Sequence, residues 1–298
     1  RAQLAKELEP GLNALFGLEF GRYENEHSEI YEEESSDRAF EEEVMLGGFA
    51  TAPVKSEGGA ISFDDAQETY TARYTHETIA LAFSITEEAI EDNLYDRLAS
   101  RYTKALARSM ATTKQIKAAS ILNNAFSTGA NVIGDGAALC SAAHPSLSGS
   151  QTNLLSTAAD LNETSLEQML IDIAGFTDER GLKIAVRGTK LIIPKELQFI
   201  AERVMNSALR SGTSDNDNNA MKNMGMLPEG AVVNHYLTDT DAFFIKTDAP
   251  NGFKYFNRAA IKTAMEGDFD TGNMRFKARE RYSFGVSDWR CVFGTPGA

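Results

Sequence analysis

Cysteine is almost absent from this 298-residue chain. Cys140 and Cys291 are its only two, too few for a disulfide framework and suited to a reducing compartment. No apolar run approaches the eighteen or so residues needed to cross a bilayer, so no membrane partner is expected. No secretory leader is visible. The first residue is Arg1 rather than Met, which sets the expectation of a segment removed or left out upstream. Enzyme signatures are missing as well, each failing at a particular residue. His76-Glu77 opens like a zinc-protease helix, but Ala80 stands where the second histidine belongs. Asp215, Asp217 and Asn219 have calcium-loop spacing, yet Ala220 replaces the required glycine and Met226 the bidentate glutamate. Gly134 and Gly136 lack the third glycine of a dinucleotide turn, because Leu139 is there. No Walker lysine and no G-x-S-x-G elbow occurs. The chain therefore reads as no enzyme, with no catalytic residue, no cofactor and no metal. Cys140 with His144 is a metal-ligand alternative to an ordinary loop, without a third Cys or His nearby. His27 and His235 read as surface or hydrogen-bonded residues. The single tryptophan, Trp289, reads as a core anchor in a terminal strand, with ligand stacking second. Asp268 and Asp270 read as turn residues.

What is abundant is acid. The net charge is −14, and residues 24–43 carry ten acids (among them Glu32, Glu33, Glu34, Glu41, Glu42 and Glu43) against the single base Arg38. Such a field repels polyphosphate and argues against sequence-specific nucleic-acid recognition. Two readings stand: a solvated acidic face, or an arm lying across a neighbouring subunit.

Ala60–Thr128 contains neither glycine nor proline. Within it Ile90, Leu94, Leu98, Tyr102, Leu106 and Met110 recur every fourth residue, predicting a single helix over Ser84–Phe126 with a Ser84/Glu87 capping box. At 1.5 Å per residue this is a rod of roughly 60 Å, a spine for flatter parts. Before it, residues 1–20 read as a short helix broken at Pro10-Gly11, followed by apolar anchors that must dock on something. Residues 44–83 read as two long strands joined by a tip near Val54–Ala60, with Ile79, Leu81, Phe83 and Ile85 alternating as a strand. A two-stranded ribbon is marginal alone and needs a partner surface. After the spine, Leu166, Met169, Leu170, Ile173 and Phe176 predict an amphipathic helix ending at Gly181. Lys183–Arg187 and Lys190–Ile193 read as strands, and Pro194 opens another helix. Ser211–Asn219 reads as a polar loop. Val232–Tyr236 with Phe243–Lys246 reads as a hairpin, and the last fifty residues as basic strands.

Taken together, several short stretches carry a resemblance. They are Asn123-Asn124, Asp135-Gly136, Leu139-Cys140, His144-Pro145, Leu191–Leu197, Val232-Val233 with Tyr236–Asp239, and Asp288-Trp289-Arg290. In this order, behind an acidic arm, a ribbon and a long helix, the chain resembles the major capsid proteins of tailed bacteriophages, nearest the Mu-like major head subunit group. The resemblance implies an α+β, Hong Kong 97-type capsid fold. Its parts would be an N-terminal arm (1–43), an extended β-ribbon loop (44–83), a peripheral domain with the spine helix (84–152), an axial α/β domain (153–250), and C-terminal strands returning to the peripheral domain (251–298). It implies a subunit that self-assembles, as hexamers and pentamers, into an icosahedral shell around packaged double-stranded DNA. That DNA would be enclosed without sequence-specific binding, in a virion assembled in the host cytoplasm with portal and scaffolding or decoration proteins. The axial loop would include Asp215, Asn216, Asp217, Asn218 and Asn219. Charge complementarity adds an inter-subunit expectation, Glu41, Glu42 and Glu43 of one copy against Arg275, Arg279 and Arg281 of another. Some relatives crosslink through a ribbon lysine; Lys55, the only lysine of the tip, reads as solvated. The alternatives are an encapsulin-type nanocompartment shell and, from another class, a soluble hydrolase.

Overall fold

The computed structural model describes residues 2–91, 95–129, 133–209, 217–268 and 271–298. It divides into two compact units. Unit 1 comprises residues 1–41, 74–118 and 255–284; unit 2 comprises 42–73, 119–254 and 285–298.

Unit 1 begins with α1 (Ala2–Phe20), which continues through Pro10 instead of breaking there. Proline inside a helix costs about 3 kcal/mol. Leu12 and Phe16 are buried one turn apart with Phe20 beside them, and each buried side chain is worth about 1.5–3 kcal/mol. Tertiary burial therefore outweighs the local break. A 3-10 turn (Glu26–Glu29) leads into β1 (Glu32–Ser35). The strand β4 (Glu77–Ile85) follows later, then α2 (Glu87–Glu91) and α3 (Tyr95–Asn123), most of which lies in this unit. Two long strands, β10 (Phe253–Gly267) and β11 (Met274–Val286), complete a four-stranded sheet in the order β1-β10-β11-β4. β11 and β4 are antiparallel, with Phe276 opposite Phe83 and Arg275 opposite Ser84.

That register corrects the expected start of the spine. Ser84 belongs to a strand, so the Ser84/Glu87 capping box does not form; Thr86 Oγ1 instead accepts from Ala89 N at 3.4 Å. Burying Ile79, Phe83 and Ile85 against the core decides the conformation. The helix α3 has 29 residues, a length of about 43 Å. Its buried face runs Ala99, Thr103, Leu106, Ala107 and Met110, while Tyr102 is exposed. Small residues form half of that face, so apolar periodicity points one residue aside. Leu94 lies outside the described residues.

In unit 2, β2 (Phe40–Gly47) and β3 (Gln67–Thr75) pair as a two-stranded ribbon joined by residues 48–66. The ribbon's second strand is thus β3, not Ile79–Ile85, whose alternation is used in the unit 1 sheet. A small antiparallel pair, β5 (His144–Ser146) with β6 (Gly149–Gln151), precedes α4 (Glu163–Ala174). That helix opens on a capping box between Asn162 and Ser165 and buries Leu166, Met169, Leu170 and Ile173. Next come β7 (Gly188–Ile193), a 3-10 turn (Lys195–Leu197), α5 (Gln198–Asn206), α6 (Ala220–Met224), β8 (Ala231–Val233) and β9 (Phe243–Thr247). A 3-10 turn (Trp289–Cys291) leads to β12 (Val292–Thr295). The sheet order is β12-β9-β7-β8, with β8 parallel and β9 antiparallel to β7.

Three expectations change here. Lys183–Arg187 is not a strand; only Lys183 bridges, to Thr177, and Ala185 is left-handed at φ 50°. β8 and β9 are not a hairpin but flank β7 on opposite sides. The reason is apolarity: Leu191, Ile192 and Ile193 are fully buried and take the central position. Trp289 sits in the 3-10 turn ahead of the last strand, though it is a core anchor. Gly188 is required for this packing, since a Cβ there would lie 2.7 Å from Leu170 Cδ2 and 2.9 Å from Ile245 Cγ2.

Candidate functional site

Among the described residues the two most exposed large apolar side chains, Val54 and Phe63, lie in the ribbon of unit 2; Phe199 and Leu18, elsewhere, come next. Val54 is 100% exposed, Phe63 96%, Ile61 69% and Phe49 59%, all within the segment joining β2 to β3. Leu46 on β2 is exposed as well. Their composition is that of a buried surface, and contiguous apolar exposure of this kind marks an interaction site. Lys55, in the same segment, is exposed and engages nothing among the described residues.

The ribbon is anchored at its base by acids. Glu43 bonds Lys254 and Ser287, both close contacts, and Glu42 pairs with Arg73 at 3.6 Å. In unit 1, Glu41 accepts from Ser36 Oγ at 2.7 Å and lies 3.9 Å from Arg38. All three glutamates singled out from the sequence therefore have partners in their own chain. Arg275 pairs closely with Asp268; Arg279 is exposed; Arg281 is half-buried, with its Nε lacking a hydrogen-bond partner. The structure does not bring these glutamates to these arginines within one chain. Of the expected axial loop, Asp215 and Asn216 lie outside the described residues. Asp217 and Asn218 are exposed, whereas Asn219 is buried and caps α6 by accepting from Lys222 N at 3.3 Å while donating to Val204 O.

A buried polar hub holds unit 2 together, and its roles are not apparent from residue types alone. Asn153 is fully buried. Its Nδ2 donates to the carbonyls of Leu139, Trp289 and Val292, so its Oδ1 is the atom accepting from Ser141 N (2.8 Å) and His144 Nε2 (3.0 Å). His144 Nδ1 is 2.7 Å from Asp135 Oδ2. Both ring nitrogens are thus engaged, Nε2 by Asn153 and Nδ1 by Asp135, and neither is turned toward Cys140 as a metal ligand. The Cys140–His144 alternative is thereby corrected; burial also pushes the Cys140 thiol far up, away from the thiolate. No trio of His, Cys, Asp and Glu among the described residues is arranged to hold a metal ion. The imidazole stacks on Trp289 at 4.5 Å and 3°, and the Arg290 guanidinium lies 4.3 Å from the same ring. Arg290 reaches Glu179 at 2.9 Å, Asp288 at 3.2 Å and Thr177 O at 2.8 Å. Burial raises the Asp288 carboxyl above its usual range although Arg290 opposes it.

A second buried histidine lies in unit 1. Ser36 Oγ spends its proton on Glu41, so it accepts from His76 Nε2 at 3.0 Å, and Ser283 Oγ donates to Nδ1 at 2.9 Å. His76 is thus the neutral Nε2–H tautomer. Burial lowers its pKa, with Arg281 and Arg258 adding to that and Glu41 opposing. Burial also lowers that of His27. A histidine whose folded pKa lies below its unfolded value stabilises the fold fully above pH 6.5 and loses that contribution as pH falls through 6.5. Urea unfolding at pH 7 and pH 5 is expected to show a loss of about 1 kcal/mol or more on acidification. His76→Gln should remove part of that difference, and the double variant with His27→Gln more of it.

No helix among the described residues is long and apolar enough to cross a membrane. The α+β fold, with two compact units, a long helix and a ribbon whose tip is exposed, is that of Hong Kong 97-type phage capsid subunits. The sequence pattern of the phage capsid protein family matches residues 69–294. The chain belongs to that family: it is a major capsid protein, a shell subunit of the virion that functions by assembling with other copies. No protein of curated function matches the sequence. Among solved structures the fold is similar to the capsid of a native GTA particle (12% identity, 93% of this chain and 91% of that one, TM-score 0.57). It is similar to the capsid of Myoviridae phage XM1 (11%, 90% and 89%, TM-score 0.55). It is also similar to a virus-like particle from Pyrococcus furiosus (9%, 95% and 97%, TM-score 0.53). The family match favours a phage capsid subunit over the encapsulin alternative.

Proposed function

We propose that this subunit builds an icosahedral head from hexamers and pentamers, with the ribbon of each copy lying across an adjacent copy. The observation that carries this is the exposure of Phe49, Val54, Ile61 and Phe63, more than half of each of which is left open by the described residues of the chain. On this reading residues 1–43 serve as arm, 44–83 as extended loop, 84–152 as peripheral domain, 153–250 as axial domain, and 251–298 as strands returning to the peripheral domain. The polar loop containing Asp217 and Asn218 lies near a symmetry axis. The head encloses double-stranded DNA without reading its sequence, joins a portal, takes scaffolding or decoration proteins, and is assembled in the host cytoplasm. The role is mechanical rather than catalytic.

The test is Ile61→Ser with Phe63→Ser. Electron microscopy should show shells lost or reduced at least tenfold, while far-UV circular dichroism and the melting temperature of the free subunit stay unchanged, because neither side chain is buried in it. Normal shell yield from the double variant would overturn the ribbon's role.

A further inference from the structure

We propose that the solvent face of the unit 1 sheet is a binding surface for nucleic-acid phosphates, placing packaged double-stranded DNA against β11 and its neighbours. This rests on the shell reading above but concerns a different surface from the ribbon.

Alternation along β11 separates two faces. Phe276, Ala278, Glu280 and Tyr282 are buried, and Glu280 forms an ion pair with Lys114 at 2.7 Å. Arg275, Lys277, Arg279 and Arg281 occupy the opposite face, roughly 6.8 Å apart. Register with β4 sets Ala82 opposite Lys277 and Ala80 opposite Arg279. On β10, Lys262 is exposed and alternates onto the same side as Ala264. A shallow cavity of about 370 Å³, lined by Ala82, Ala264, Glu266, Gly267, Asp268, Arg275 and Lys277, shows that three strands share this surface; Asp268 is spent on Arg275. The result is a row of cations along β11, with Lys262 beside it, over a floor of alanines; the acids of the sheet lie at its margins, Glu266 at the end of β10 and Glu32–Glu34 on the edge strand β1.

Two further features identify the occupant. Lys277, Arg279 and Lys262 make no ion pair or hydrogen bond among the described residues, so their charge is not spent internally. The exposed positions carry no aromatic or large aliphatic side chain, which a stable protein interface needs at its centre, and no amide placed to read bases. A phosphodiester backbone needs neither: it is recognised by charge alone, whatever the sequence. The rival occupant, the acidic strap of a second copy, is disfavoured further because Glu41, Glu42 and Glu43 already have partners within the chain. The acidic remainder of the subunit keeps such contacts weak, as a wall must be if the genome is to leave it.

The experiment uses the full chain as unassembled subunits, with a labelled 20-base-pair duplex of random sequence read by fluorescence anisotropy. Binding at 50 mM salt is expected, with a log–log salt slope of about −3 for the three contacts of Lys262, Lys277 and Arg279, and the same affinity for a second, unrelated duplex. Lys277→Glu with Arg279→Glu, both exposed and checked for folding by circular dichroism, should weaken binding at least tenfold and flatten the slope by about 2. No binding by the parent protein, or affinity unchanged in the double variant, overturns the proposal. Loss of shells with DNA affinity unchanged would assign the face to a second copy instead and likewise overturn it. Shell formation by the parent protein, followed separately by electron microscopy, tests the assembly reading without reference to DNA.

Discussion

Arg290→Met is expected to destabilise the subunit by about 3–5 kcal/mol, a large fraction of the stability of an ordinary domain. The Arg290 side chain is 3% exposed and satisfies Glu179 and Asp288, themselves 3% and 10% exposed. Removing the guanidinium leaves two carboxylates in a low-dielectric interior with no counter-charge, and Glu179 Oε2 already lacks a partner. Asp288, held above its usual range by burial even beside Arg290, would take up a proton, and the Asp288 cap on the Trp289–Cys291 turn would weaken. The guanidinium's contact with the Trp289 ring is lost as well. Urea unfolding of unassembled subunits followed by circular dichroism measures the change. A loss below 1 kcal/mol would mean that water reaches the two acids and that the network is not the closed one described here.

Asn153→Leu is expected to be nearly as damaging, at more than 3 kcal/mol. The amide serves three carbonyls and two donors, and each buried group left unsatisfied costs about 1–3 kcal/mol. Asn153→Asp separates the two halves of this role. It keeps an acceptor for Ser141 and His144, but it cannot donate to Leu139, Trp289 and Val292, so it too should lose more than 2 kcal/mol. Were Asn153→Asp nearly neutral in the same unfolding assay, the three carbonyl bonds would have to be dispensable. Because Asn153 holds the carbonyl of the residue preceding Arg290, the Arg290 and Asn153 substitutions should not be additive when combined.

Much of the hub was legible in the sequence as motifs without being legible as chemistry. Asp135, His144 and Trp289, quoted from separate stretches, meet in one cluster. Asn123 donates to Tyr236 O and accepts from Thr238 N, and Ile192 and Ile193 lie beside Val232 and Val233. Each pair joins two stretches that carried the family resemblance, so their order in the chain reflects contacts in space. Asn153 gives no signal in the sequence, because a lone asparagine has no periodicity and no partner type of its own; only the three carbonyls converging on it reveal its role. The helix boundary was misplaced for a related reason. Ser84 fits a capping box locally, but a strand opposite β11 buries Ile79, Phe83 and Ile85 as well. The β8–β9 arrangement could not be read from either segment, since what separates them is the apolarity of β7, elsewhere in the chain. The ribbon was legible as an element unable to cover itself; in the structure its tip is exposed, while Gly47, Ala72 and Tyr74 on its two strands are buried.

The chain passes from one compact unit to the other five times along its length. Unit 1 is incomplete until residues 255–284 have been made, and the unit 2 sheet lacks an edge until Val292–Thr295 emerge. Neither unit can therefore close on its N-terminal residues alone: each takes strands from the C-terminal part of the chain, so the two cannot be separated by cutting the chain once.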